Sequence, residues 1–228
     1  MTLKPGTAKR LRGQWKQSAN ILLSEVNITQ RITPTSSRPS PSVDLWELFA
    51  GEALSTKLAP EYDLDVLQPY DLIYGQDFMK EEVQSSIFKT LRRFRPLLTL
   101  MGLDCRHYNL FQLQQGDAPL RQMAASVAEE QLKNNRYFLM RSEVWETPEM
   151  ERLKQLPGVW TVTCDSGVFG LMVHGHNVAK PITFIGNIPG LDEQLSRRLL
   201  PEQRQQCTPI QGKLTRASQA YPEELRSE

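Results

Sequence analysis

Cysteine, histidine and long apolar runs are all scarce in this chain, and each scarcity excludes something. The three cysteines, Cys105, Cys164 and Cys207, are odd in number and widely spaced. They cannot make a disulfide framework, which points to a reducing intracellular compartment, cytoplasm or nucleus. No apolar run approaches the roughly 20 residues that span a bilayer, and the first residues lack the apolar core of a secretory signal, so no membrane partner is expected. The three histidines, His107, His174 and His176, form no close Cys-x-x-Cys or His-x-x-x-His spacing with the cysteines. That argues against a metal site. A Gly-x-Ser-x-Gly elbow is missing, which removes the support for serine hydrolysis. Neither sign of charge dominates: the net charge is +1, so no global field draws the chain to nucleic acid or membrane.

What charge there is lies in clusters. Residues 1–16 carry Lys4, Lys9, Arg10, Arg12 and Lys16 with no acid, and Thr33 to Ser42 reads TPTSSRPSPS, which sustains neither helix nor central strand. Residues 1–42 are therefore read as a basic, Pro/Ser-rich arm, 43–220 as the folded domain and 221–228 as a tail. A second basic cluster is Lys89, Arg92, Arg93 and Arg95. It reads first as a solvated helix end that suits the helix dipole, and second as a phosphate contact, a role open to the arm as well.

Inside 43–220, apolar runs alternate with amphipathic stretches. Strands are expected at 44–50, 64–67, 97–103, 137–140 and 159–163. Helices are expected at 52–58, at 80–94 with Val83, Ile87, Phe88, Leu91 and Phe94 on one side, at 119–134 with proline in its first turn, and at 147–156 before Pro157-Gly158. Residues 167–173 and 182–185 read as a terminal antiparallel pair. The fold class is α/β: a Rossmann-like, doubly wound, mostly parallel sheet with a terminal antiparallel hairpin.

The most informative segment is VDLWELFAGEALST, Val43 to Thr56, which has the form of a first strand turning tightly into a first helix. Gly51 after an apolar strand lets backbone approach a ligand where a Cβ would collide. In a doubly wound sheet that turn faces the crevice at the carboxyl ends of the strands. The second and third glycines of a Gly-x-Gly-x-x-Gly are absent, so a pyrophosphate site is not indicated. A smaller cofactor with an amino-acid tail suits the turn better, and an ordinary strand-to-helix turn is the plain alternative.

ELFAG resembles motif I of the class I S-adenosylmethionine-dependent methyltransferases, in particular the cytosine-5 DNA methyltransferase group. The resemblance implies an S-adenosylmethionine site in which Glu47, Phe49 and Gly51 line the methionine end. Asp71 substitutes for the ribose-binding acid, whose usual place is held by Gln68. In YGQDF, Asp77 meets the adenine amino group and Phe78 lies against the ring; a helix N-cap is the plain reading of Asp77. The strand over 97–103 leads to Leu103-Asp104-Cys105 where the family has Pro-Pro-Cys, which implies Cys105 as nucleophile. Arg106 and His107 would favour its thiolate, and Asp104 would oppose it. After RYFLM, Glu143 is the nearest replacement for the base-binding glutamate of Glu-Asn-Pro, displaced by about two residues, roughly 7 Å at strand rise.

Phe169-Gly170, Lys180-Pro181, Phe184, Asn187, Cys207 and Gly212 fit, in order, a divergent branch of these proteins found in viruses, phages and retroelements. The resemblance thus spans about 43–222. It implies a methyltransferase acting on a nucleic-acid base, DNA first, with altered catalytic motifs. A non-catalytic descendant that binds nucleic acid or protein is the alternative, and a methyltransferase for small molecules or amino-acid side chains is a third.

Overall fold

A row of four buried side chains defines the middle of the fold. In the computed structural model, which describes residues 42–51, 53–103, 118–142, 147–169, 172–173 and 176–208, Leu48, Met101, Met140 and Ile185 stand side by side on four neighbouring strands. All are at most 2% exposed. Those strands are β1 (Val43–Leu48), β2 (Pro96–Leu103), β3 (Tyr137–Ser142) and β7 (Pro181–Gly186), and β4 (Trp160–Asp165) completes a sheet of order β1-β2-β3-β7-β4. A second row, Trp46, Thr99 and Phe138, lies two residues earlier on the same face, as strand periodicity requires. All the described residues lie within one unit, Ser40–Glu228.

That face is covered by three helices: α2 (Glu81–Phe94), α3 (Ala118–Lys133) and α4 (Pro148–Lys154). Ile87 and Leu91 of α2, Met123, Ala124, Val127 and Ala128 of α3, and Met150 and Leu153 of α4 join the same buried cluster. The helix ends follow local chemistry. Glu81 and Glu82 open α2 and Arg92 and Arg93 close it, complementing its dipole. The Thr147 hydroxyl accepts from the Met150 N–H and Pro148 takes the first helical position of α4. Among the described residues no helix is long and apolar enough to cross a membrane.

The buried Gln131 of α3 is the polar tie between helix and sheet. Its amide nitrogen donates to Pro96 O (3.1 Å), Thr99 Oγ1 (2.8 Å) and Tyr137 O (3.0 Å), reaching both β2 and β3. Asn187, just beyond β7, accepts from Phe138 N–H and donates to Arg136 O, fastening β7 beside β3.

The sheet departs from the sequence reading in two places. Residues 64–67 form no strand: Val66 and Tyr70 each make a single parallel bridge, to Leu45 and Leu48. Gln68-Pro69 stops the run before a ladder can grow. The terminal pair is also partnered differently. Residues 166–169 are a 3-10 turn, and β7 pairs antiparallel with both β3 and β4. Beyond that turn, β5 (Met172–Val173) and β6 (His176–Asn177) form a separate two-stranded ribbon. The sheet is therefore mixed, parallel over β1, β2 and β3, with its reversed strand inside rather than at the rim.

Candidate functional site

The carboxyl ends of β1, β2 and β3 share one edge, and the chain leaving β1 there is unusually contorted. Phe49, Gly51 and Ala53 alternate in the left-handed region, with φ of 52°, 54° and 53°. A side chain in that region costs on the order of 1 kcal/mol or more per residue, so the surroundings must hold Phe49 and Ala53 in place. Three contacts do so. The Phe49 ring stacks on Phe78, with centroids 4.2 Å apart and planes 22° from parallel. The Gly51 N–H donates to Asp71 Oδ2 at 2.9 Å. The Ala53 N–H donates to Ala50 O at 2.8 Å.

Glu47, the last residue but one of β1, is 7% exposed. Its Oε2 accepts from both the N–H and the hydroxyl of Thr56, each at 2.6 Å. Thr56 belongs to the first turn of α1 (Leu54–Leu58), which begins at Ala53 with no side-chain cap of its own. Glu47 thus supplies from the strand the acceptor and negative charge that a helix start favours.

Asp71 also accepts from Ile73 N–H (3.1 Å), closing the turn over Leu72–Tyr74. Gln76 Oε1 accepts from the Asp71 N–H at 3.3 Å. Asp77 Oδ1 accepts from Met79 N–H at 3.0 Å. It thereby forms a turn ahead of α2, whose N-cap position is held by Lys80 rather than by Asp77.

The structure therefore brings Glu47, Phe49, Gly51 and Asp71 to one turn, and it adds Phe78 by stacking. Phe78 is 6% exposed, with Phe49 against one face of its ring. Asp77 is its chain neighbour. Gln68, whose position the resemblance gives to a ribose-binding acid, has its carbonyl taken by the Trp46 indole N–H at 3.0 Å. Cys105 and Glu143 lie outside the described residues. Among the described residues no group of three or more His, Cys, Asp or Glu side chains is placed to hold a metal ion.

Sequence reasoning missed Gly102. A Cβ there would stand 2.8 Å from Phe49 O, so the end of β2 packs against the backbone of the turn where only glycine fits. A glycine at the end of an otherwise apolar strand was the available signal. Gly102→Ala must push the turn and β2 apart. The expected cost is about 1–3 kcal/mol, read from the denaturant midpoint, together with faster proteolysis at the turn.

Cys164, the last residue but one of β4, is no substitute nucleophile. It is 2% exposed, and burial pushes its thiol above the ordinary range, opposed in lesser part by its own backbone hydrogen bond and by Arg198. A thiol raised in the folded state favours folding fully below the unfolded thiol value of about 8.5, and that contribution fades as pH rises past it. Peptide mapping after alkylation at pH 8 is expected to find Cys207 labelled in the native protein and Cys164 labelled only in denaturant. Native labelling of Cys164 would contradict the burial described above.

No protein-family model matches this chain, and no curated protein matches it.

Proposed function

We propose that the chain is a divergent S-adenosylmethionine-dependent methyltransferase-like domain directed at nucleic acid, with the β1–α1 turn as its cofactor end. The observation that carries this reading is the bond between Asp71 Oδ2 and the Gly51 N–H. It joins two residues twenty positions apart that the family resemblance assigns to one ligand, at the carboxyl ends of parallel strands where doubly wound sheets bind.

The donor set suits such a cofactor. Asp71 would turn from an amide to a ribose hydroxyl, Asp77 would accept from an exocyclic amine, and the Phe49–Phe78 stack offers an apolar wall to a purine. Gly51 would present its N–H to the carboxylate of the amino-acid tail. When bound, the cofactor supplies an electrophilic methyl group. Cys105 is the proposed nucleophile toward the base, and Glu143 the proposed carboxylate beside it.

A second reading has its own support. Glu47, Asp71 and Asp77 each already accept from a backbone N–H of their own chain, which suits a descendant that keeps these residues to hold the turn. Calorimetric titration with S-adenosylmethionine separates the two. Saturable binding that Asp71→Ala weakens at least tenfold, with methyl label entering DNA and lost in Cys105→Ser, is the expected result for the enzyme. Binding without label transfer into DNA, RNA or protein pools, or no binding by a fully folded protein, favours the non-catalytic reading.

A further inference from the structure

The edge of the sheet opposite the turn gathers positive charge from two separate parts of the chain. α2 and α3 both run back to the amino ends of the strands they precede, α2 ending just before β2 and α3 just before β3. Lys89, Arg92 and Arg93 of α2 and Lys133 of α3 are exposed there. Arg95 immediately precedes β2, and Arg136, 5% exposed, immediately precedes β3. Among the described residues Glu130 lies beside this cluster, its Oε1 3.7 Å from Arg92 Nε. Glu129 is taken by Arg152 on α4 at 2.9 Å. The carboxylate of Asp44 turns toward Asp65, on the side of β1 away from β2.

Two of the arginines are incompletely satisfied. Arg136 donates from Nη1 to Leu91 O at 3.2 Å, but its Nε and the Nε of Arg95 are buried with no hydrogen-bond partner among the described residues. Burial lowers the pKa of Arg136, Glu130 opposes that shift, and the nearby charge of Arg95 adds to it. Helix C-termini favour cations, and that accounts for one or two per helix. It does not account for two arginines placed near enough to repel each other.

β1 also begins at this edge, at Val43 beside Pro96. The Ser42 hydroxyl donates to Phe94 O at the end of α2. The 41 residues before Ser42 contain seven lysines and arginines and one acid, Glu25, so a further basic stretch is joined covalently to the fold here.

We infer that this corner, formed by Lys89, Arg92, Arg93, Arg95, Lys133 and Arg136, binds the phosphate backbone of a nucleic acid. It lies at the opposite edge of the sheet from the β1–α1 turn, and the inference does not depend on that turn holding a cofactor. A nucleic-acid backbone is favoured over an acidic peptide because its evenly repeated charges can engage the exposed Lys89, Arg92, Arg93 and Lys133 together with the basic stretch that precedes Ser42.

The test is fluorescence anisotropy of a short labelled DNA duplex with the whole 228-residue chain across a salt series. Lys89→Gln/Arg92→Gln/Arg93→Gln leaves the seven basic residues before Ser42 intact. It is expected to bind at least tenfold more weakly at low salt, with the slope of log affinity against log salt reduced by about 2 to 3, near 0.9 for each phosphate no longer neutralised. Should the triple variant melt at a lower temperature than the parent, Lys89→Glu/Arg93→Glu decides, since it spares the Arg92–Glu130 pair; its binding is expected to fall further still. Unchanged affinity and slope in a folded variant would overturn the inference. So would polyglutamate displacing the duplex as effectively as unlabelled duplex does.

Discussion

Removing Arg198 and Arg204 together is expected to cost more stability than the sum of removing each alone. Both reach one carboxylate, that of Asp165 at the end of β4, which is completely buried while the arginine side chains are half exposed. Arg204 Nη2 lies 2.7 Å from each Asp165 oxygen, Arg198 Nη1 lies 3.6 Å from Oδ1, and the Leu199 N–H donates to Oδ2 at 3.0 Å. With Arg204→Ala alone, Arg198 needs to move little to take its place, and a loss of about 1–2 kcal/mol is expected. Arg198→Ala alone removes a longer and better hydrated contact, and less than about 1 kcal/mol is expected.

The double variant leaves a buried carboxylate facing one backbone amide, and stranding a buried charge costs about 3–5 kcal/mol. Denaturant unfolding of the four proteins gives the coupling directly. Strict additivity would mean that water reaches Asp165 freely. Because the same contacts hold residues 197–204 against the sheet, the double variant should also be clipped faster by trypsin at Arg197.

Gln131 is the second site where a large effect is expected. Gln131→Met keeps the volume but takes the donor away from Pro96 O, Thr99 Oγ1 and Tyr137 O at once. Each buried acceptor left without a partner costs about 1–3 kcal/mol, and Thr99 can redirect its own hydroxyl, so a total of about 3 kcal/mol is expected. Gln131→Ala adds a cavity beside the sheet, and a further 1–2 kcal/mol or so follows. Gln131→Glu is expected to be the worst of the three at neutral pH, because it turns a carboxylate toward carbonyl oxygens. Its deficit should shrink as the pH falls and the carboxyl takes up the proton it then needs as a donor. Thermal melts at pH 7 and pH 5 measure this. Equal deficits at both would show that the side chain swings out of the core.

These two hubs also mark where the sequence stopped being legible. Strands β1, β2, β3 and β4 and the helices over 81–94 and 148–154 were readable because their signals are local: apolar runs, apolar residues at helical spacing, and the Pro157-Gly158 that closes the last. The carboxylate of Asp71 reaching Gly51 was foreseeable as proximity, through the order of motifs, but not as a hydrogen bond. Gln131 and Asp165 carry no such signal. A glutamine near the end of an amphipathic helix and an aspartate closing a strand both read as solvated, and only the tertiary fold decides that neither one is. The partner of β7 was misread for the same reason. Residues 167–173 are the nearest stretch in sequence, but the glycine at 186 accommodates Trp160, whose ring would lie 2.9 Å from a Cβ there. That contact and the Asn187 clasp are written far apart in the chain.

The interior position of β7 sets an order of events during synthesis. β2 and β3 can each pair as soon as they emerge, since each finds its neighbour already made. β4 cannot: the strand on which it hydrogen-bonds is β7, made later in the chain. Until then β3 and β4 both present unpaired edges, the arrangement most open to intermolecular pairing. A truncation anywhere between residues 165 and 181 would remove β7 and leave β4 without its partner, costing the five-stranded sheet two strands instead of one.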